Sequence, residues 1–142
     1  MADDLHALIR FHRHALDEKR KVLAVLLDRR DALRDRIQAL KDGIAAEAEN
    51  AKNDPDAAMV FGTFAAGVRR QQALIQVKID EMAPAIQHAE DVVAEAFREL
   101  KTYEIAQQGR DERADAERKR LEGIAMDEAG SSAWQRNNAY DA

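Results

Sequence analysis

Apolar side chains recur through the first 51 residues with a period of seven, in two series offset by three residues. The first series is Ala2, Ile9, Leu16, Leu23, Arg30, Ile37, Ile44 and Ala51, with Arg30 as its polar member. The second series is Leu5, His12, Lys19, Leu26, Leu33, Leu40 and Glu47. These are the a and d positions of a coiled-coil heptad. The pattern predicts one amphipathic helix over about residues 3–51.

The repeat breaks at residues 50–56, NAKNDPD, and then resumes. Asp54 is a suitable N-cap, and Pro55 suits the first helical position because the N–H it lacks would be unpaired there. The resumed d series is Phe61, Val68, Ile75, Met82, Ala89, Ala96 and Tyr103, and the a series is Ala65, Gln72, Ile79, Ile86, Val93 and Leu100. A turn at about 52–55 and a second helix over about 56–129 are therefore predicted, with Gly130 as the stop and a kink at Pro84.

A short turn makes the two helices antiparallel, so that residues 1–129 form a two-helix coiled-coil hairpin. If the turn is centred between residues 52 and 53, Leu5 lies opposite Leu100 and His12 lies opposite Val93. In this register the second helix has no intrachain partner beyond about residue 105. The predicted fold is therefore all-α: a long antiparallel hairpin with an unpaired C-terminal helical extension, followed by a disordered tail at residues 130–142.

The composition favours this fold and disfavours several kinds of site. Charged residues make up 35% of the chain and aromatic residues 5%, whereas globular domains average about 25% charged. The net charge of −5 argues against nucleic-acid binding, which depends on neutralising phosphates. The chain has no cysteine, and no apolar run approaches the ~20 residues of a membrane span. We expect a cytoplasmic protein without direct membrane insertion.

Catalytic, metal and cofactor sites are not expected. His12 and His14 are two residues apart, so on a helix they point about 200° apart and do not share an ion. The sequence has no glycine-rich phosphate loop and no serine before Ser131. A two-helix coiled coil also offers no closed pocket in which reacting groups are dry. We predict a protein that is not an enzyme and binds neither metal nor cofactor.

Apolar residues outside the seam indicate partner binding instead. Some of these residues form a second apolar stripe on the first helix, and others lie outside the seam of the second helix. Two more are apolar residues of the C-terminal extension. The predicted partner-binding residues are Phe11, Val22, Val25, Phe64, Leu74, Leu121 and Ile124. Scattered apolar residues are normal on a protein surface, but phenylalanine at exposed coiled-coil positions is less ordinary.

Two segments carry a resemblance to a known family. They are RFHRHALDEKRKVLAVLLDRRDAL near the N-terminus and AERKRLEGIAM late in the chain. With the hairpin pattern between them, they resemble the FliJ family of flagellar type III export proteins over nearly the whole chain to about residue 126. Gly123 departs from the family, whose members commonly carry an acidic or helix-favouring residue there.

The resemblance implies a non-enzymatic, stalk-like coiled coil in the bacterial flagellar export apparatus, cytoplasmic and peripheral to the inner membrane. Its implied partners are the export ATPase ring, the transmembrane export gate protein and export chaperones. Leu121 and Ile124 would find their missing seam inside the ATPase ring. The alternative is a generic coiled-coil scaffold or chaperone-like adaptor unrelated to flagella.

Overall fold

A computed structural model describes residues 5–141 of the chain. It contains two helices, α1 from His6 to Ala51 and α2 from Pro55 to Asp141, and no strand among the described residues. The two helices pack against each other, which confirms the predicted all-α helical hairpin. The predicted start of the first helix at residue 3 lies outside the described residues.

The turn between the helices is held by local hydrogen bonds. The N–H groups of Lys52 and Asn53 donate to carbonyls three residues earlier, at 3.3 and 3.2 Å, and so tighten the end of α1. The side chain of Asp54 accepts the N–H of Asp56 at 3.0 Å, and the Asp54 carbonyl accepts the N–H of Ala58. Asp54 is therefore the N-cap that the sequence predicts, and Pro55 is the first helical residue.

The chain divides into two compact units. The central unit comprises residues 14–97 and contains the turn, and the terminal unit joins residues 5–13 to residues 98–141 within the described part of the chain. The apolar core of the central unit consists of seam positions that the heptad pattern predicts: Leu16, Ala65, Val68, Ile79, Ile86 and Ala89. Each fully buried large aliphatic side chain contributes about 1.5–3 kcal/mol. Lys19 and Glu47, the charged members of the d series, are exposed.

In the terminal unit the helices pair in a register different from the predicted one. The backbone N–H of Leu5 donates to Oε1 of Gln107 at 2.9 Å, seven residues beyond the predicted partner, Leu100. His12 stacks on Tyr103, with ring centroids 4.7 Å apart, and not on Val93. Pairing therefore continues past residue 105, where the sequence predicted that it would end.

Two physical effects account for this difference. A slip of one heptad keeps every a and d position on the seam, so apolar periodicity alone does not distinguish the two registers. Helical side chains also lean towards the N-terminus of their own helix. In the antiparallel pair, the side chains of α1 therefore lean away from the turn and those of α2 lean towards it. A residue of α1 consequently contacts a residue of α2 that lies farther from the turn than the one at its own backbone level.

The C-terminal end of α2 also differs from the prediction. The helix does not stop at Gly130 but continues to Asp141, through the segment that was expected to be disordered. A glycine ends a helix when its φ becomes positive, and no described glycine has a positive φ. Every side chain from residue 116 to residue 140 is exposed. α2 also runs through Pro84, where the kink stays a prediction.

Candidate partner-binding surfaces

The central unit has an apolar cleft between its two helices. The cleft has a volume of about 330 Å³ and is lined by Lys19, Val22, Leu26, Ala85, His88, Ala89 and Val92. Val22, one of the predicted binding residues, is 57% exposed on one wall. On the opposite wall Val92 is half-buried, and Ala89 is buried in the floor. The helices therefore present apolar groups to solvent at a place where their seam is open.

Some charged side chains at this cleft have an ion-pair partner within the chain, and others have none. The side chains of Lys19 and His88 form no hydrogen bond or ion pair with another residue of the described chain. The neighbouring carboxylate of Glu18 is occupied, because Lys21 donates to it at 3.0 Å. That hydrogen bond, with the positive charge of Lys21, lowers the pKa of Glu18. The cleft thus carries an uncompensated cation beside an apolar floor.

Three further predicted residues of the central unit are exposed but lie outside this cleft. They are Val25 on α1 and Phe64 and Leu74 on α2. Sequence reasoning did not select Met59, Val77 and Phe97, which are also exposed on α2. Val77 follows Leu74 by three residues, so a search for helical spacing among off-seam positions would have found this pair.

The terminal unit contains an aromatic and polar cluster. Phe11 is 64% exposed, and its ring meets His12 edge-on at a centroid distance of 5.3 Å. His12 stacks on Tyr103, and its Nδ1 lies 3.7 Å from Oε2 of Glu99. The exposed ring of Phe11 is therefore positioned by a partly buried histidine, which lies on the seam as its heptad position predicts.

Gln107 is the most buried polar residue of this unit, with 8% of its surface exposed. Its Oε1 accepts the N–H of Leu5 at 2.9 Å, and its Nε2 donates to Asp111 at 2.9 Å. The Leu5 N–H is one of the donors that a helix N-terminus leaves unpaired, so α2 caps the start of α1. The heptad pattern of apolar positions does not reveal this role, because the partner of Gln107 lies on the other helix.

A second, more polar cleft opens beside Gln107. It has a volume of about 540 Å³, and its lining is His6, Ile9, Arg10, Arg13, Glu104, Gln107, Gln108 and Asp111. Arg13 and Glu104 bridge the two helices at 3.3 Å. A hydrogen bond from Lys101, followed by that of Arg13, lowers the pKa of Glu104. The carboxylate thus stays ionised and holds the helices together at this level.

Residues 112–141 of α2, called the arm below, carry the remaining predicted residues. Leu121 is 53% exposed and Ile124 is 43% exposed, and Met126 and Trp134 are exposed as well. Ion pairs within one helical turn surround them, joining Asp115 to Arg118 and Lys119, Glu117 to Arg120, and Glu122 to Arg118. Asp127 and Glu128 form no ion pair with a described residue.

The described residues contain neither a cluster of metal ligands nor a helix suited to cross a membrane. Within residues 5–141, no three histidine, aspartate or glutamate side chains come together as a metal ion would require. No helical stretch in this part of the chain has the length and apolarity of a membrane span.

Comparison with known proteins gives one consistent relationship. The chain is 34% identical over 105 residues to the "Flagellar FliJ protein" of Caulobacter vibrioides, in each of two strains. The aligned region covers 73% of this chain and 76% of the relative. No family model matches the sequence, and no solved structure matches it.

Proposed function

Because this chain belongs to the FliJ family of flagellar proteins, we propose that it is a non-enzymatic, stalk-like component of the type III export apparatus. Family membership supports a role related to flagellar export. The finer proposal is that the protein binds the export ATPase ring through the arm, and the transmembrane export gate and export chaperones through exposed faces of the hairpin. It would act in the cytoplasm, peripheral to the inner membrane.

The observation that carries this proposal is the length of α2 relative to α1. In the terminal unit α1 begins at His6, beside Gln107, whereas α2 runs on to Asp141. The arm consequently presents Leu121 and Ile124 to solvent, three residues apart on one helical face. A helix of this kind gains stability when another protein supplies the missing apolar surface, at about 25 cal/mol per Å² buried.

The remaining apolar groups support a second kind of contact. Phe11 in the terminal unit and Val22, Val25, Phe64 and Leu74 in the central unit are all exposed. Exposed aromatic and aliphatic side chains on rigid helices can bind a groove or a helix of another protein without a large ordering cost. We assign these residues to the gate and chaperone contacts.

Co-purification with the flagellar export ATPase tests the arm directly. We expect the full chain to capture the ATPase, and a chain truncated after Glu112 to lose capture at least about tenfold, because the apolar anchors are removed. This end point keeps Gln107 and Asp111, so the N-terminus of α1 stays capped.

A paired substitution provides the matched control. Leu121→Ala with Ile124→Ala should weaken capture as the truncation does, whereas Lys119→Ala with Glu122→Ala changes the same arm and leaves both anchors in place. Circular dichroism should show the same helicity for both double variants. Equal capture by wild type and by the Leu121/Ile124 variant would refute the proposed role of the arm.

A further inference from the structure

We propose that one face of α2, near the turn of the central unit, binds the same face of a second copy of this chain. The two α2 helices would run antiparallel about a two-fold axis beside Gly67. Each side chain then lies opposite the residue at the same distance on the other side of Gly67 in the second copy. The face, called the Gly67 face below, consists of Gly67 and six residues placed symmetrically around it: Asp56, Val60, Phe64, Arg70, Leu74 and Lys78.

The centre of the Gly67 face is apolar and uncovered. Val60 and Leu74 each lie seven residues from Gly67, and seven residues are close to two helical turns, so the three share one side of the helix. Val60 is 63% exposed and Leu74 is 66% exposed. The seam residues Ala65 and Val68 are buried, so α1 covers a different side of α2. In the dimer Val60 packs on Leu74 of the second copy, and this contact occurs twice.

Gly67 allows the two helices to approach closely at the axis. A glycine inside a helix is less stable than an alanine, so the position calls for a reason. A Cβ added at Gly67 would meet one described side chain within 4 Å, that of Arg70, whose Nη2 would lie 3.8 Å away. Packing within one copy therefore does not require glycine here. A second helix does, because helix axes come as near as about 8 Å only where the side chains at the contact are small.

Asp56 and Lys78 are the ionic pair of the Gly67 face. Each lies eleven residues from Gly67, on opposite sides of it, so the carboxylate of one copy meets the ammonium group of the other. Neither side chain forms a hydrogen bond or ion pair with a described residue of its own chain, and at Asp56 only the backbone N–H is bonded, to Asp54. Dimer formation therefore pairs two free charges at each end of the face and breaks no existing contact.

Phe64 and Arg70 are the second complementary pair, each three residues from Gly67. Phe64 is 41% exposed, and the guanidinium group of Arg70 lies beside Gly67, at the centre of the face. Arg70 forms no hydrogen bond or ion pair with a described residue. Across the axis, the guanidinium group of one copy stacks on the ring of the other, a cation–π contact that strengthens as water is removed.

These contacts close at two copies. The same face serves both chains, so the interface is isologous and leaves no surface to propagate a polymer. Asp56 lies opposite Lys78 of the second copy, which limits the contact to about 35 Å of α2. A contact confined to one helix of each copy is small, so we expect a reversible dimer with a Kd on the order of 10 µM.

Charge reversal in the full-length chain tests the pairing. Sedimentation velocity from about 1 µM to about 1 mM protein should show reversible dimerisation of the wild type. Lys78→Asp and Asp56→Lys should each weaken the dimer at least about tenfold, because like charges then meet at both ends of the face. Mixing the two variants should restore a dimer, because each supplies the charges that the other lacks. Arg69→Asp is the matched control, because Arg69 is exposed but points about 200° away from Gly67.

A pair of glycine variants tests the close approach. Gly67→Leu should weaken the dimer at least about tenfold, because two leucine side chains would meet at the axis. Gly62→Leu is the matched control, since a Cβ at Gly62 meets nothing within 4 Å among the described residues and points away from the Gly67 face. Both changes favour the helix, so circular dichroism of dilute samples should show at least wild-type helicity in each.

Disulfide formation locates the contact independently. The chain has no cysteine, and residues 60 and 74 are about 21 Å apart along one helix, so Val60→Cys with Leu74→Cys forms no bond within a chain. We expect mild oxidation to yield a cross-linked dimer, and Val60→Cys with Ala73→Cys to yield little, because position 73 points about 100° away from position 74.

Several results would overturn the proposal. They are a wild type that stays monomeric up to about 1 mM, charge variants that do not complement each other on mixing, and equal dimer affinities for Gly67→Leu and Gly62→Leu. Phe64 and Leu74 are also assigned above to gate and chaperone contacts, so the dimer would cover part of that surface in the free protein. Because these experiments contain no export protein other than this chain, none of their outcomes bears on the export role.

Discussion

Gln107 illustrates how one polar side chain alters the interpretation of a heptad repeat. By polarity alone it marks the point where the apolar seam fails. In the structure it is buried, accepts the Leu5 N–H and donates to Asp111. An amide suits this position because it is donor and acceptor at once. The residue therefore extends the paired region of the hairpin beyond its apolar seam.

We expect Gln107→Leu to destabilise the folded chain by about 1 kcal/mol, because it leaves the Leu5 N–H without its partner. Urea unfolding measures the change in free energy, and hydrogen exchange should show faster opening of the first turn of α1. Gln108→Leu is the control, since Gln108 is exposed and donates only within α2, to Glu112 at 3.1 Å. Equal losses in the two variants would contradict the capping role.

At this scale the sequence predicts local chemistry well and long-range partners poorly. The cap at Asp54 was predictable because its partner, Asp56, lies two residues away. The buried seam residues were predictable because apolar periodicity specifies a helical face. The partner of Gln107 lies 102 residues away in sequence, and no local pattern specifies it.

At the scale of the element, the arm and the seam differ in what stabilises them. The seam is stabilised by buried apolar side chains such as Ile79, Ile86 and Ala89. The arm has exposed side chains from residue 116 to residue 140 and is supported by ion pairs within the helix. Such pairs contribute only about 0.2–0.5 kcal/mol each. Most helical stability in proteins comes from the packing that this segment lacks.

We therefore expect amide protons of residues 131–141 to exchange at least about a hundredfold faster than those of residues 79–89, because only the latter need cooperative opening of the seam. Hydrogen exchange followed by mass spectrometry or NMR measures this in a dilute, monomeric sample. The seam of the same chain is the internal control. Similar protection in both segments would show that the arm has stabilising contacts of its own.

Register is the property of these elements that the heptad pattern leaves open. Periodicity specifies which face of each helix is buried, and those faces agree with the structure at Ile9, Leu16, Val68 and Leu100. A displacement of seven residues leaves the same faces buried. The choice among registers falls to individual contacts such as the stack of His12 on Tyr103.

At the scale of the whole molecule, charge links stability to pH. Three glutamates have lowered pKa values, and in each case the largest cause is a hydrogen bond from a basic side chain. The pairs are Glu18 with Lys21, Glu104 with Lys101, and Glu117 with Arg120. A carboxylate with a lowered pKa stabilises the fold fully above its unfolded pKa, about 4.5 for glutamate, and loses that contribution as pH falls through the folded pKa.

We expect the melting temperature of the wild type to fall as the pH is lowered below about 4.5, as these carboxylates are protonated. Glu104→Gln should be less stable than the wild type near neutral pH, and the difference should shrink as the pH is lowered. Thermal melts from pH 7 to pH 3 measure both effects. Glu47→Gln is the control, because Glu47 forms no ion pair with a described residue. A constant difference between wild type and Glu104→Gln would contradict the assignment.

The bond between Leu5 and Gln107 has a consequence for the order in which the chain folds. It joins residues 102 positions apart, whereas the hydrogen bonds at the turn join residues two to four positions apart. Loop closure costs more entropy as the loop lengthens, so pairing that starts at the turn reaches Leu5 last. Interactions that form after the transition state change the rate of unfolding and leave the rate of folding almost unaltered. Gln107 thus governs how long the hairpin stays closed at its open end, and hardly at all how fast it forms.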